Sequence, residues 1–362
     1  MRVLITCPRA PVTIEWVRLF RKAGHEVWLV DSLNFPIAKY YNNTKYIKVS
    51  PPRLAFEQYK KEMIELIKQV DWVIPNCEDL FYLSRVRDGM QTDTFFFMPE
   101  SDSLFELHHK FNFFQKLNEH VKAPKTKLLT SQEQIEIDEK SILKPVYSRF
   151  GRSVIREVTE KNIEKVQVSE AYPWVQQERI VGEAICNYAL VLNGELLAHV
   201  AYRPMYLLNG AAATYFEPYV DERLDKFIAQ FAKDTNYTGQ VAFDFIDDGK
   251  DLYVLECNPR ATSGLHLLSE GLTFEDEVFK YRPKEQPSAY RVSTTLYSLF
   301  GFQALLKGEF KQLHYDYKRA KDVLEGVPFY GQALSMFGML QRAVMYRKEI
   351  TSASTFDIEF DG

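Results

Sequence analysis

Val241-Ala242-Phe243-Asp244-Phe245-Ile246, then Asp247-Asp248-Gly249-Lys250, then Leu252-Tyr253-Val254-Leu255-Glu256-Cys257-Asn258-Pro259-Arg260 is the stretch on which the reading of this chain turns. Two runs rich in apolar residues flank an Asp/Gly turn, the pattern of an antiparallel hairpin. Glu256 and Asn258 are two apart, so they project from one face of an extended strand while Cys257 points to the other. Asp244 can meet them across the ladder. Two carboxylates and an amide oxygen make a hard donor set, suited to Mg²⁺ holding phosphates rather than to zinc or iron. Any one acidic residue alone reads as ordinary strand polarity before an Asn-Pro turn. The three together, followed by Arg260, read as a site.

Working outward, Ala189-Leu190-Val191-Leu192 and Leu196-Leu197-Ala198 flank Asn193-Gly194, a second hairpin signal. Ser141-Ile142-Leu143-Lys144-Pro145 reads as a strand, the basic stretch 147–153 as a loop, and Val154-Ile155 as the strand returning from it. The first hundred residues differ. Val3-Leu4-Ile5, Val27-Trp28-Leu29-Val30 and Trp72-Val73-Ile74 are short buried-strand runs separated by helical stripes, one carrying Trp16, Val17, Phe20 and Ala23 and the other Phe56, Tyr59, Met63, Leu66, Ile67 and Val70. That alternation predicts a Rossmann-like parallel sheet. The turn after the first strand is Cys7-Pro8-Arg9-Ala10-Pro11, which lacks the glycines that close approach to a pyrophosphate needs, and NAD is not the expected ligand. The texture changes near residue 103 and again near 285, after which an aromatic-rich, helical segment is expected. A helix around residues 109–117 is expected to carry His108 and His109 on its surface.

The chain has 362 residues, enough for two or three domains. With 46% hydrophobic and 26% charged residues it is neither disordered nor fibrous. Lys and Arg number 45 against 49 Asp and Glu, a net charge of −4 that supplies no general attraction for nucleic acid. Cys7, Cys77, Cys186 and Cys257 are scattered without metal-ligand spacing and are expected as reduced thiols. No signal-peptide pattern opens the sequence, and the longest uncharged stretches, 292–306 and 326–341, fall short of the ~20 residues a membrane helix requires. A cytoplasmic protein without transmembrane segments is expected.

The ordered motifs resemble the ATP-grasp superfamily, whose carboxylate ligases carry a strand ending in Glu-x-Asn-Pro-Arg, here Glu256-Cys257-Asn258-Pro259-Arg260. Leu143-Lys144-Pro145 is similar to the family's phosphate-binding lysine strand, and Lys110 falls where a first lysine precedes it. Gln176-Gln177-Glu178-Arg179-Ile180-Val181-Gly182-Glu183 resembles the family's hinge, which reads the adenine edge and meets the ribose. The resemblance implies an α/β fold: a Rossmann-like pre-ATP-grasp domain over 1–103, a two-lobed ATP-grasp domain over 104–284 with a small lid at about 120–181, and a mainly helical extension over 285–362 packing on the grasp core. It implies ATP with one or two Mg²⁺ ions, or Mn²⁺, as cofactors. It places Lys110, Lys144, Ser148, Gly151, Gln177, Glu178, Ile180 and Glu183 at the nucleotide. Asp244, Glu256 and Asn258 are then metal ligands, and Arg260 and Lys144 serve the transferred phosphoryl group.

Two departures from the family pattern stand out. The lid loop 147–153 holds one glycine and two arginines, Arg149 and Arg152, which either grip phosphate or are solvated. Relatives place their ribose acid one position beyond Glu183, where this chain has Ala184. The implied activity is carbon–nitrogen ligation: a carboxylate is phosphorylated to an acyl phosphate, which an amine then attacks. Bicarbonate phosphorylation and a non-catalytic ATP-binding module are the alternatives. Small-molecule carboxylate and amine partners follow, and pairing as a homodimer is expected. Arg203 and residues 209–214 are candidates for the acceptor pocket or an ordinary loop, and His266 for a base or a structural histidine. The apolar C-terminal stretch with Arg342, Arg347 and Lys348 either packs on the core or touches a membrane surface.

Overall fold

In the computed structural model, which describes residues 1–147, 154–164, 166–208, 212–293 and 295–360, the three N-terminal apolar runs become neighbouring strands of a parallel sheet. Its order is Lys45–Lys48, Glu26–Asp31, Arg2–Thr6, Trp72–Ile74, Phe95–Phe96. Val3, Leu4 and Ile5 are fully buried because helices cover both faces, which is why these strands read as continuous apolar runs instead of alternating ones. Helix Thr13–Lys22 buries Trp16, Val17 and Phe20, and helix Phe56–Ile67 buries Tyr59, Met63 and Ile67. The two strands not singled out from sequence are the edge strand Lys45–Lys48, broken by lysines, and the two-residue Phe95–Phe96. Neither is long or regular enough to give a period.

Beyond this sheet the strands turn antiparallel. A three-stranded sheet, Thr126–Leu129, Trp174–Glu178, Ser141–Pro145, forms one lobe. A seven-stranded sheet forms the other, running Leu252–Asn258, Gly239–Asp247, Glu183–Leu192, Glu195–Leu208, Ala212–Tyr219, Tyr290–Arg291, Lys321–Asp322. Residues 179–182 connect strand Trp174–Glu178 of the first sheet to strand Glu183–Leu192 of the second. The Asn-Gly turn closes its hairpin with Asn193 at φ 49° and Gly194 at φ 79°, the left-handed pair that such a tight turn requires.

The helix expected over 109–117 is displaced. Helix Ser101–His108 ends where Lys110 turns its N–H to Val146 O (3.4 Å), and a 3₁₀ turn, Asn112–Lys116, follows. His109 Nδ1 accepts the N–H groups of Phe111 and Asn112, both at 3.2 Å, replacing carbonyls that a continuing helix would have used. His108 is correspondingly buried, not on a helix surface.

The C-terminal segment packs helices Gly301–Lys307 and Phe310–Arg319 on the edge of the large sheet through Tyr215, Leu296, Ala304 and Leu313. It also returns to the N-terminal region. Helix Phe329–Tyr346 lies over Tyr40 and Phe35, and buried Asp357 pairs with Arg9 at 2.7 Å and Arg342 at 2.5 Å.

Candidate active site

The large sheet's edge hairpin sets Asp244 directly opposite Glu256, with a bulge after Asp244. Asn258 Nδ2 donates to Asp244 Oδ2 at 3.3 Å and to Glu256 Oε1 at 3.4 Å, and its Oδ1 accepts from Arg260 Nη2 at 3.0 Å. The alternation argument therefore holds: all three donors share one face. Lys110 Nζ stands 3.7 Å from Glu256 Oε2. Lys144, on the opposing lobe, donates from Nζ to Leu255 O at 3.1 Å, so one side chain bridges the cleft between the two sheets. Both lysines are buried.

Burial sets the electrostatics. Loss of water lowers the Lys144 ammonium to about 8, with Lys110 adding to the fall and Glu256 opposing it. Lys110 is lowered by the same desolvation, against the pull of Glu256. Asp244 is pushed up, first by burial and then by the Glu256 charge beside it. For Glu256 burial acts upward, yet Lys110 and Lys144 overcome it and hold the carboxyl low. Asp244 is thus an uncompensated acid beside a compensated one. A divalent cation held by the two carboxylates would remove that conflict, and the oxygen donors suit Mg²⁺. Among the described residues no three or more His, Cys, Asp and Glu side chains gather as a metal centre. The ion would accordingly be held by Asp244, Glu256 and a rotated Asn258 amide, completed by phosphate oxygens.

The hinge residues are distributed around the interlobe link. Gln177 is buried, its Nε2 donating to Thr126 Oγ1 at 2.9 Å while its Oε1 has no hydrogen-bond partner among the described residues. The N–H of Glu178 donates to Lys125 O and that of Arg179 to Lys140 O, each at 2.8 Å, which ties the link to its own lobe. Ile180 lies half-buried on the link. Glu183 is exposed and pairs with Arg203 Nε at 2.5 Å. Arg203 thereby sits beside the candidate ribose acid. Ser148, Gly151, Arg149 and Arg152 lie outside the described residues, as do 209–211. Thr214 belongs to strand Ala212–Tyr219 and donates to Tyr206 O at 2.8 Å. His266 is buried with Nδ1 2.8 Å from Glu15 Oε1, which joins the grasp region to helix Thr13–Lys22.

Two neighbours of the site were not read from sequence. Glu78, fully buried in the N-terminal region, places Oε1 3.8 Å from Arg260 Nε. His108 lies between the rings of Phe81 and Tyr147, at 4.6 and 5.6 Å, where burial and the nearby Lys110 and Arg260 charges keep its imidazole neutral. Both reach the site through tertiary packing, which spacing along the chain cannot report.

Residues 107–264 match the family model described as an ATP-grasp domain. No curated protein matches the chain. Among solved structures the chain is similar to N5-carboxyaminoimidazole synthetase from Staphylococcus aureus complexed with ADP, with 13% identity, TM-score 0.58 and 86% of each chain covered. It is similar to the L-amino acid ligase from Bacillus licheniformis at 14% identity and TM-score 0.54, covering 75% of this chain and 70% of that one. The biotin carboxylase domain dimer of Hydrogenobacter thermophilus 2-oxoglutarate carboxylase, in complex with MgADP, ADP and bicarbonate, aligns at 16% identity and TM-score 0.57, covering 74% and 66%. Fold, ordered motifs and family model agree on an ATP-grasp domain over residues 107–264.

Proposed function

We propose that this protein is an ATP-dependent ligase that phosphorylates a small-molecule carboxylate and passes the acyl group to an amine, releasing ADP and phosphate. The observation that carries the reading is the convergence of Asp244, Glu256, Asn258, Lys110, Lys144 and Arg260 on one interlobe cleft. Phosphoryl transfer asks for in-line positioning and charge neutralisation more than for covalent help from the protein. Lys110 and Lys144 are cations already stripped of water, so their attraction for nucleotide phosphates is strong. Mg²⁺, held by Asp244, Glu256 and Asn258, would neutralise phosphate charge. Arg260 extends its guanidinium beside this group and is suited to bind the transferred phosphoryl or the acyl phosphate. The hinge, with Gln177, Glu178, Ile180 and Glu183, would hold the nucleoside.

The ADP and MgADP in the similar structures support nucleotide binding in this fold. Bicarbonate in one of them favours a second reading, in which bicarbonate is the acid phosphorylated. Hydroxylamine attacks acyl phosphates in place of the natural amine, so the test needs only pooled carboxylates, MgATP and hydroxylamine. Carboxylate-dependent hydroxamate is the expected product. ADP release that depends on bicarbonate alone assigns the second reading, and nucleotide binding without ADP release from any pool overturns both.

A further inference from the structure

Helix Phe329–Tyr346 carries its side chains inside out. It buries Gly331 and Ser335, and a Cβ on Gly331 would stand only 2.6 Å from Tyr40, so close packing is reserved for small residues. Its large apolar residues face outward: Phe329 is 84% and Val344 80% exposed, with Tyr330, Phe337, Leu340 and Met345 between. At 3.6 residues per turn the exposed positions sweep about half the circumference along ~27 Å of helix. No charge lies on that arc, because the helix's single charged residue, Arg342, turns to Asp357 at 2.5 Å. Helix Gly301–Lys307 repeats the pattern, burying Gly301 and Ala304 while Phe302, Leu305 and Leu306 are exposed.

Charge frames these faces. Residues 301–349 hold eight Lys and Arg against five Asp and Glu, a local +3 in a chain whose total is −4. Lys307, Lys311, Arg347 and Lys348 are exposed at the ends of the two apolar faces and outnumber the exposed Glu309 and Glu349 beside them. We propose that this surface docks on an anionic lipid bilayer, the long helix lying in the headgroup plane with its uncharged half sunk into the acyl boundary. A basic rim complements anionic headgroups. None of the described helices is long and apolar enough to cross a membrane, so the contact is peripheral.

The test is co-sedimentation of the full chain with phosphatidylcholine vesicles, with and without phosphatidylglycerol. Binding that rises with phosphatidylglycerol, falls with salt and drops about tenfold or more in Phe337→Gln/Val344→Gln is expected. Arg347→Glu/Lys348→Glu should remove the phosphatidylglycerol dependence. Unchanged melting temperatures establish that these exposed substitutions leave the fold intact. No sedimentation with either vesicle, or binding indifferent to the apolar substitutions, overturns the proposal. A concentration-dependent dimer in analytical ultracentrifugation that Phe337→Gln/Val344→Gln dissolves, without vesicle binding, also overturns it and gives the face to a second copy.

Discussion

Asp244 bears the electrostatic cost of the site. It is buried opposite Glu256, whose charge is already matched by Lys110 and Lys144, so ionising Asp244 adds a buried negative charge with little left to balance it. Asp244→Asn is therefore expected to stabilise the metal-free protein, by about 1–3 kcal/mol, while weakening Mg²⁺-dependent nucleotide binding at least about tenfold. Thermal unfolding without metal and calorimetric titration with MgADP read the two effects; lower stability in the variant would contradict this electrostatic account. Lys144→Ala should abolish nucleotide-dependent turnover for a different reason, since it removes a cation that reaches from the small lobe to Leu255. These side chains were legible in the sequence because alternation puts Glu256 and Asn258 on one face and a hairpin supplies Asp244. Glu78 was not, because its approach to Arg260 depends on how the N-terminal region docks against the grasp lobes.

Among the elements, the interlobe link is tightly constrained at Gly182. A Cβ on Gly182 would lie 2.1 Å from Asp247 O, a backbone atom that cannot rotate away. Gly182→Ala must shift the link or strand Gly239–Asp247, at a cost of about 1–3 kcal/mol. Weaker nucleotide binding and a lower melting temperature are both expected, and a variant normal in both would remove the hinge assignment from Gly182. Hairpins and buried parallel strands were readable because Asn-Gly and Asp-Gly turns and unbroken apolar runs are local signals. The end of helix Ser101–His108 was not, since the Lys110 bond to Val146 is tertiary.

Across the whole molecule, Asp357 joins the C-terminal segment to the first parallel sheet. Burial alone would raise its carboxyl, but Arg9 and Arg342 prevail and lower it to about 2. A depressed folded-state value means the stabilisation is complete above the unfolded value of ~4 and is lost as pH falls through about 2. Stability should thus fall by about 2 kcal/mol over that window, and Asp357→Asn should flatten this part of the profile. Urea unfolding against pH checks it; an unchanged slope would show that Asp357 is not the group responsible. The two-lobed architecture could be anticipated from the order of motifs. The return of helix Phe329–Tyr346 to the N-terminal region could not, because Gly331, Ser335 and Gly338 mark a packing face only when the partner surface is known.

The central claim is ATP-driven activation of a carboxylate at the Asp244, Glu256 and Asn258 cleft. ADP release from MgATP across pooled carboxylates and amines, wild type beside Glu256→Gln, tests it most directly. The account predicts release that depends on a substrate pool and disappears in Glu256→Gln, which removes the negative charge facing Lys110. Equal release by wild type and variant, at saturating MgATP, would contradict it.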